Sequence, residues 1–130
     1  MKPVRLNSRY GFQGLCSVLN SRYTIHEIGA RIGLFHEQCR NDRDTYVDVQ
    51  WSNIKPEFQS NYNKYGAVGD DVGVDDYSSI MHYPKFAPDQ AVNPNLAVLI
   101  PKGPPEPPIG QRTAFSPGDI STIATIYPPG

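Results

Sequence analysis

Histidine is scarce in this 130-residue chain, at three residues, and cysteine is scarcer, at two. Neither sign of charge dominates: twelve basic residues face thirteen acidic ones. That balance argues against nucleic acid or an anionic membrane surface as the main partner. No stretch approaches the roughly 20 apolar residues needed to span a bilayer. The first ten residues carry positive charge with no apolar run behind it, so they do not read as a secretory signal. The cysteines, Cys16 and Cys39, leave two readings open. A bridge needs an oxidising compartment and suitable geometry, and two unpaired thiols need neither.

The chain does have the makings of one domain. Hydrophobic residues make up 38% and aromatics 11%, enough for a real core and too much for a disordered tail. Thirteen prolines and eleven glycines predict abundant loop and little regular structure. From Tyr23 onward, Ile25, Ile28, Ile32 and Phe35 recur at helical spacing. Thr24 and Glu27 match a capping box, and Gly33 falls where such a helix can stop. Alternation over Tyr46–Trp51 suggests a short strand, Asn53 to Tyr65 a helical turn, and Ala97–Ile100 a strand-like run inside a proline-rich segment. Residues 66–79 form a glycine and aspartate loop. Its acids Asp70, Asp71, Asp75 and Asp76 do not match the spacing of a calcium loop, so a solvated loop is expected. Ser116-Pro117-Gly118-Asp119 then opens a terminal helix with Ile120, Ile123, Ala124 and Tyr127 on its apolar face.

One segment carries chemistry. Two imidazoles at i and i+4 of a helix can share a metal ion, and a glutamate beside the first can activate water. A glycine after the helix lets the chain turn and deliver a third imidazole, giving H-E-x-x-H-x-x-G-x-x-H followed later by a methionine turn. Here the segment is His26-Glu27-Ile28-Gly29-Ala30-Arg31-Ile32-Gly33-Leu34-Phe35-His36, with Ser79-Ile80-Met81-His82-Tyr83 downstream. His26, Glu27, Gly33 and His36 are in register. The middle histidine is replaced by Ala30.

These motifs resemble the astacin branch of the metzincin zinc endopeptidases. The continuation His36-Glu37-Gln38-Cys39-Arg40-Asn41-Asp42-Arg43-Asp44, the methionine turn and the closing stretches 109–112 and 115–120 are all similar to that family. The resemblance runs from about Thr24 to Pro128. It implies an α+β, metzincin-type zincin fragment with an active-site helix over about Thr24–Gly33, a methionine turn and a terminal helix from about Ser116. The expected division is a residual amino-terminal segment over residues 1–22 and a partial astacin-like peptidase domain over 23–130. Only 25 residues precede His26, so most of the family's amino-terminal half, the upper wall of the cleft, would be missing.

The resemblance also implies roles. His26 and His36 would hold one Zn²⁺ and Glu27 would be the general base. Met81 would form the floor of the site, and Tyr83 would serve as a displaceable further ligand that stabilises the oxyanion. Glu37 resembles the acid that meets the mature amino terminus. His82 belongs to the methionine turn and is expected to be structural. Ala30 has no ligating atom, and Arg31 beside it adds positive charge. Losing one ligand of a zinc site worth about 10–16 kcal/mol costs roughly 3 kcal/mol, about a hundredfold in affinity. The thiolate of Cys39 could in principle replace that ligand.

The implied function is zinc-dependent hydrolysis of peptide or protein substrates, secreted as family members are. The alternatives are an impaired pseudoprotease that binds without cleaving, and an inactive truncated fragment.

Overall fold

In a computed structural model of the chain, the structure describes residues 21–130, so the expectations for residues 1–20, including Cys16, lie outside it. Among the described residues, two α-helices and one small sheet frame long irregular segments: α1 (Ser21–Arg31), β1 (Val47–Val49), β2 (Leu99–Pro101) and α2 (Pro117–Ile126). Short 3-10 turns fill much of the rest, the longest being Pro56–Tyr62 within the expected helical stretch. No helix among the described residues is long and apolar enough to cross a membrane.

Thr24 lies inside α1 and does not cap it, because the helix is already formed at Ser21. The end of α1 follows the expectation. Gly33 takes φ +99°, a conformation that costs glycine nothing. Gly33 N–H donates to the Ala30 carbonyl at 3.2 Å and Leu34 N–H to the Gly29 carbonyl at 3.0 Å, the paired bonds of a Schellman stop. The expected apolar stripe is only half used. Ile25 and Ile32 pack against the cluster of Leu34, Ile80 and Met81, whereas Ile28 (46% exposed) and Phe35 (43%) face outward. The deeply buried positions on the helix are His26 and Gly29.

The two strand-like runs pair with each other, antiparallel, with Val47 opposite Pro101 and Val49 opposite Leu99. β2 begins two residues later than its apolar run suggests. The Asn53 amide explains the shift: its Nδ2 donates to the carbonyls of Asn93, Leu96 and Ala97 and holds that segment as a loop. Val47, Leu99 and Val98 bury completely against Ile54 and Tyr62 in a second cluster.

Helix α2 starts as its sequence dictates. Ser116 Oγ accepts from Asp119 N–H at 2.9 Å and the Asp119 carboxylate accepts from Ser116 N–H at 2.9 Å, a complete capping box. Its buried face is Ile123 and Ile126; Ile120 and Tyr127 are more than half exposed, contrary to expectation. Asp119 does more than cap. It also accepts from the Ser79 hydroxyl at 2.5 Å and from Ile80 N–H at 3.0 Å, all in a buried setting. The terminal helix is thereby fastened to the methionine turn. Asp119→Ala is expected to destabilise the fold by about 2–4 kcal/mol in urea unfolding, because it strands buried donors. Ser116→Ala, which removes one cap acceptor, should cost about 1 kcal/mol.

Candidate metal and catalytic site

The stop at Gly33 turns the chain back so that His36 returns to His26. Their Nε2 atoms are 3.1 Å apart. His26 is buried on α1, and its Nδ1–H donates to the Ile80 carbonyl at 2.8 Å. That bond fixes its tautomer and aims the Nε2 lone pair at His36. In the neutral pair His36 Nε2–H is then the donor. Burial, followed by the nearby His26, Arg112 and His82, holds His36 uncharged, with a pKa pushed down to about 3.

The methionine turn is hydrogen-bonded to the segment that follows His36. The Met81 carbonyl accepts from Glu37 N–H at 3.3 Å, and Tyr83 N–H donates to Gln38 Oε1 at 3.2 Å. Met81 is 1% exposed. A Cβ at Gly29 would lie 2.8 Å from Met81 Sδ, so only glycine lets the sulfur seat against α1. The Tyr83 ring stands edge-on to His36 with centroids 4.9 Å apart and is backed by Tyr62 at 5.5 Å. Burial raises the Tyr83 phenol, with Cys39 and Glu27 adding to that effect and Arg112 opposing it. Glu27 and Ala30 are exposed on the open side of the helix.

The structure therefore brings His26, His36, Met81 and Tyr83 together, with Glu27 and Ala30 on the rim. Its donor set can be tested against zinc. Zn–N bonds of about 2.0–2.1 Å at tetrahedral angles put two ligand nitrogens roughly 3.3 Å apart, close to the 3.1 Å seen here. Two corners fit. The third, at Ala30, has no donor, and no group of three His, Cys, Asp or Glu side chains that could hold a metal occurs among the described residues. Cys39 does not supply it: its thiol donates to the Asn61 carbonyl at 3.3 Å, and burial pushes it up to about 11.

Three of the four loop acids are built into the fold: Asp71 and Asp76 by hydrogen bonds and Asp75 by burial. Asp71 accepts from the backbone N–H groups of Asn41 and Asp42, each at 3.1 Å, and from the Tyr65 hydroxyl. Asp76 accepts from the Ser78 N–H and hydroxyl and from the Ser116 hydroxyl. Asp75 is buried, and neither of its oxygens has a hydrogen-bond partner. Their partners are too distant in sequence to be foreseen; only Asp70 remains outside this framework.

Asp75 Oδ1 lies 3.6 Å from His82 Nε2, too far for a hydrogen bond. Burial raises the Asp75 carboxyl to about 7; Arg40 works against this, and Asp42, Asp76 and Asp71 reinforce it. Burial also lowers His82, whose Nδ1–H donates to the Tyr83 carbonyl at 2.9 Å. Both shifts favour the uncharged forms, so the contact is neutral below about pH 7, where Asp75 keeps its proton.

Sequence reasoning also missed Arg112, which donates from Nη1 to the His82 carbonyl at 2.8 Å and influences His36. Its place in the family-like stretch 109–112 is the available signal. Glu37 is likewise raised, to about 8, by burial first; the Asp76 N–H bond and Arg40 oppose this and Asp75 adds to it.

Comparison with known proteins bears on the family and the fold. The family model described as Astacin, a peptidase family, matches residues 15–128. High choriolytic enzyme 1 of Oryzias latipes is 41% identical over 102 residues, covering 78% of this chain and 37% of that protein. Zinc metalloproteinase nas-13 of Caenorhabditis elegans is 38% identical over 105 residues, covering 79% of this chain and 22% of the relative. The solved structure of the former, described as a hatching enzyme zinc-protease, superposes with a TM-score of 0.73 at 37% identity. That superposition covers 82% of this chain and 52% of the solved one. The chain thus spans only part of the proteins it matches.

Asp75 contributes to the pH dependence of stability, as does Glu37 with the same sign, while His36 opposes both. The folded pKa of Asp75, about 7, lies above the ordinary 3.8, so the native state holds an extra proton between those values. The favourable contribution is full below pH 3.8 and is lost as pH rises through 7. Urea unfolding should show stability falling by roughly 1–3 kcal/mol from about pH 5 to about pH 8 on this account. Asp75→Asn should remove the Asp75 share of that slope, so its stability falls less than that of the native chain between those pH values, and it should be the more stable protein at the alkaline end.

Proposed function

Because the chain belongs to the astacin family of peptidases and shares its α+β fold, we propose that it carries residues of a zinc-dependent peptide-hydrolysing site, weakened in metal affinity by Ala30. The observation that carries this reading is the 3.1 Å approach of the His26 and His36 Nε2 atoms. His26 and His36 would hold the ion. When bound, zinc supplies a Lewis acid that polarises a peptide carbonyl and lowers the pKa of water.

The chain's own residues do the rest. Ile80 keeps the Nδ1 proton of His26 engaged, so its Nε2 remains a lone-pair donor. His36 stays neutral in its buried position and can present the same atom after its proton moves to Nδ1. Glu27, exposed on the open side of α1, takes a proton from the attacking water on its carboxylate and passes it to the leaving nitrogen. Tyr83, kept protonated at the rim, donates its hydroxyl to the developing oxyanion. Peptides or proteins are the substrate class, and action outside the cell is the setting that the kinship suggests.

A second reading, a binding protein that does not cleave, is favoured by one observation, the absence of a donor at position 30. The two are separated by zinc content and cleavage of an unfolded protein substrate in the native chain, Glu27→Ala and Ala30→His. The proposal expects cleavage at high zinc that Glu27→Ala abolishes, and about a hundredfold tighter zinc binding in Ala30→His. Cleavage that survives Glu27→Ala, or that is absent at saturating zinc in both native chain and Ala30→His, overturns it.

A further inference from the structure

One buried acid has no way to keep a charge where it sits. Asp75 is 5% exposed, and neither of its oxygens accepts a hydrogen bond. It faces His82, whose Nε2 is also buried and unpartnered, at 3.6 Å. The Nδ1–H of that ring is given to the Tyr83 carbonyl, so Nε2 is a lone pair and offers an ionised Asp75 no donor. Burial, helped by Arg112 and opposed by the Tyr83 bond and Asp76, disfavours a proton on the ring. Arg40 is already engaged by Asp42 and by the carbonyls of Val72 and Gly73. The other groups acting on Asp75 can only add negative charge: Asp42, Asp71 and Asp76, together with Glu37 and Tyr77. A carboxylate left there unpaired is costly.

A way out lies beside it. Asp75 lines an open cavity of about 360 Å³, bounded by Glu37, the segment around Asp75 and the start of α2. On the α2 side the lining includes Gly118, Ser121 and Thr122, and no titratable side chain. The segment that carries Asp75 is loosely tied. Among the described residues, no backbone group of residues 69–75 bonds to another backbone group. Side chains hold it instead, Arg40 on the carbonyls of Val72 and Gly73 and Glu37 on the Asp76 N–H. Stretches anchored in this way open at low free energy, without the core. We propose that Asp75 is a proton-held latch: protonated, it stays packed against His82, and ionised, it withdraws into the adjoining cavity and uncovers the buried ring. The movement takes the charge from burial into water, the direction in which ionisation drives it. Burial raises this carboxyl to about 7, with Arg40 opposing and Asp42, Asp76 and Asp71 reinforcing, so the latch works in the neutral range. The ring it covers belongs to the methionine turn, between Met81 and Tyr83.

The test is modification of His82 by diethyl pyrocarbonate in the full chain, read by mass spectrometry of the peptide that contains it and corrected for hydrolysis of the reagent. The native chain is compared with Asp75→Asn, which cannot ionise. Between about pH 6 and about pH 8 the native His82 rate should rise about tenfold, the ratio of ionised fractions for a group that titrates near 7. In Asp75→Asn the rate should stay low and flat. Near-ultraviolet circular dichroism of the native chain should hold constant over the same range, because the opening is local. If Asp75→Asn does not fold, Asp75→Leu, similar in volume and equally unable to ionise, takes its place. A native His82 rate that is flat with pH overturns the inference, since the ionised acid then stays beside the ring. An equal rise in the variant also overturns it, because another group then drives the opening. So does a rise matched by loss of the near-ultraviolet signal, which marks loosening of the whole fold.

Discussion

The backbone of Ile80 is held at both ends, and the site depends on that grip. Its N–H donates to the Asp119 carboxylate at 3.0 Å and its carbonyl accepts from His26 Nδ1 at 2.8 Å. The first bond anchors the methionine turn to the terminal helix. The second chooses the tautomer of His26 and leaves Nε2 as the lone-pair atom that faces His36. A carboxylate at the start of α2 thus reaches, through one residue's backbone, the orientation of an imidazole on α1. Such bonds to a buried carboxylate are stronger than neutral ones and leave costly orphans when broken.

Around that link the site is assembled from both directions. The Schellman stop at Gly33 reverses the chain, and the residues after His36 hydrogen-bond to the methionine turn through Met81 and Tyr83. Gly29 clears room for the Met81 sulfur. These features survive although the middle histidine does not, because none of them uses the side chain at position 30. Ala30 is exposed on regular helix, so its replacement removes a donor without disturbing packing. Scaffold and the proposed metal affinity are separable for that reason.

Burial also explains a second group of residues. Asp75, Glu37, His36 and His82 all shift toward their uncharged forms, with burial the largest cause for each. A low-dielectric floor under the site favours neutral imidazoles, which are the metal-binding form, but it also traps Asp75 without a hydrogen-bond partner. The same environment that suits the histidines makes that carboxyl a source of pH sensitivity.

The sequence alone determined the local events: the glycine stop, the Ser116 and Asp119 capping box, the register of His26, Glu27 and His36, and the loss of a donor at Ala30. Each depends on residues a few positions apart, where backbone geometry leaves little choice. The apolar periodicity of both helices carried less. It marked that helices form but misjudged which face is buried, since Ile28, Ile120 and Tyr127 stay exposed. Only the tertiary structure decided that the Asp loop is built in, that β1 pairs with β2 from far along the chain, and that Ile80 orients His26. Those contacts join segments distant in the chain, where partners are selected by packing and burial and no local pattern encodes them.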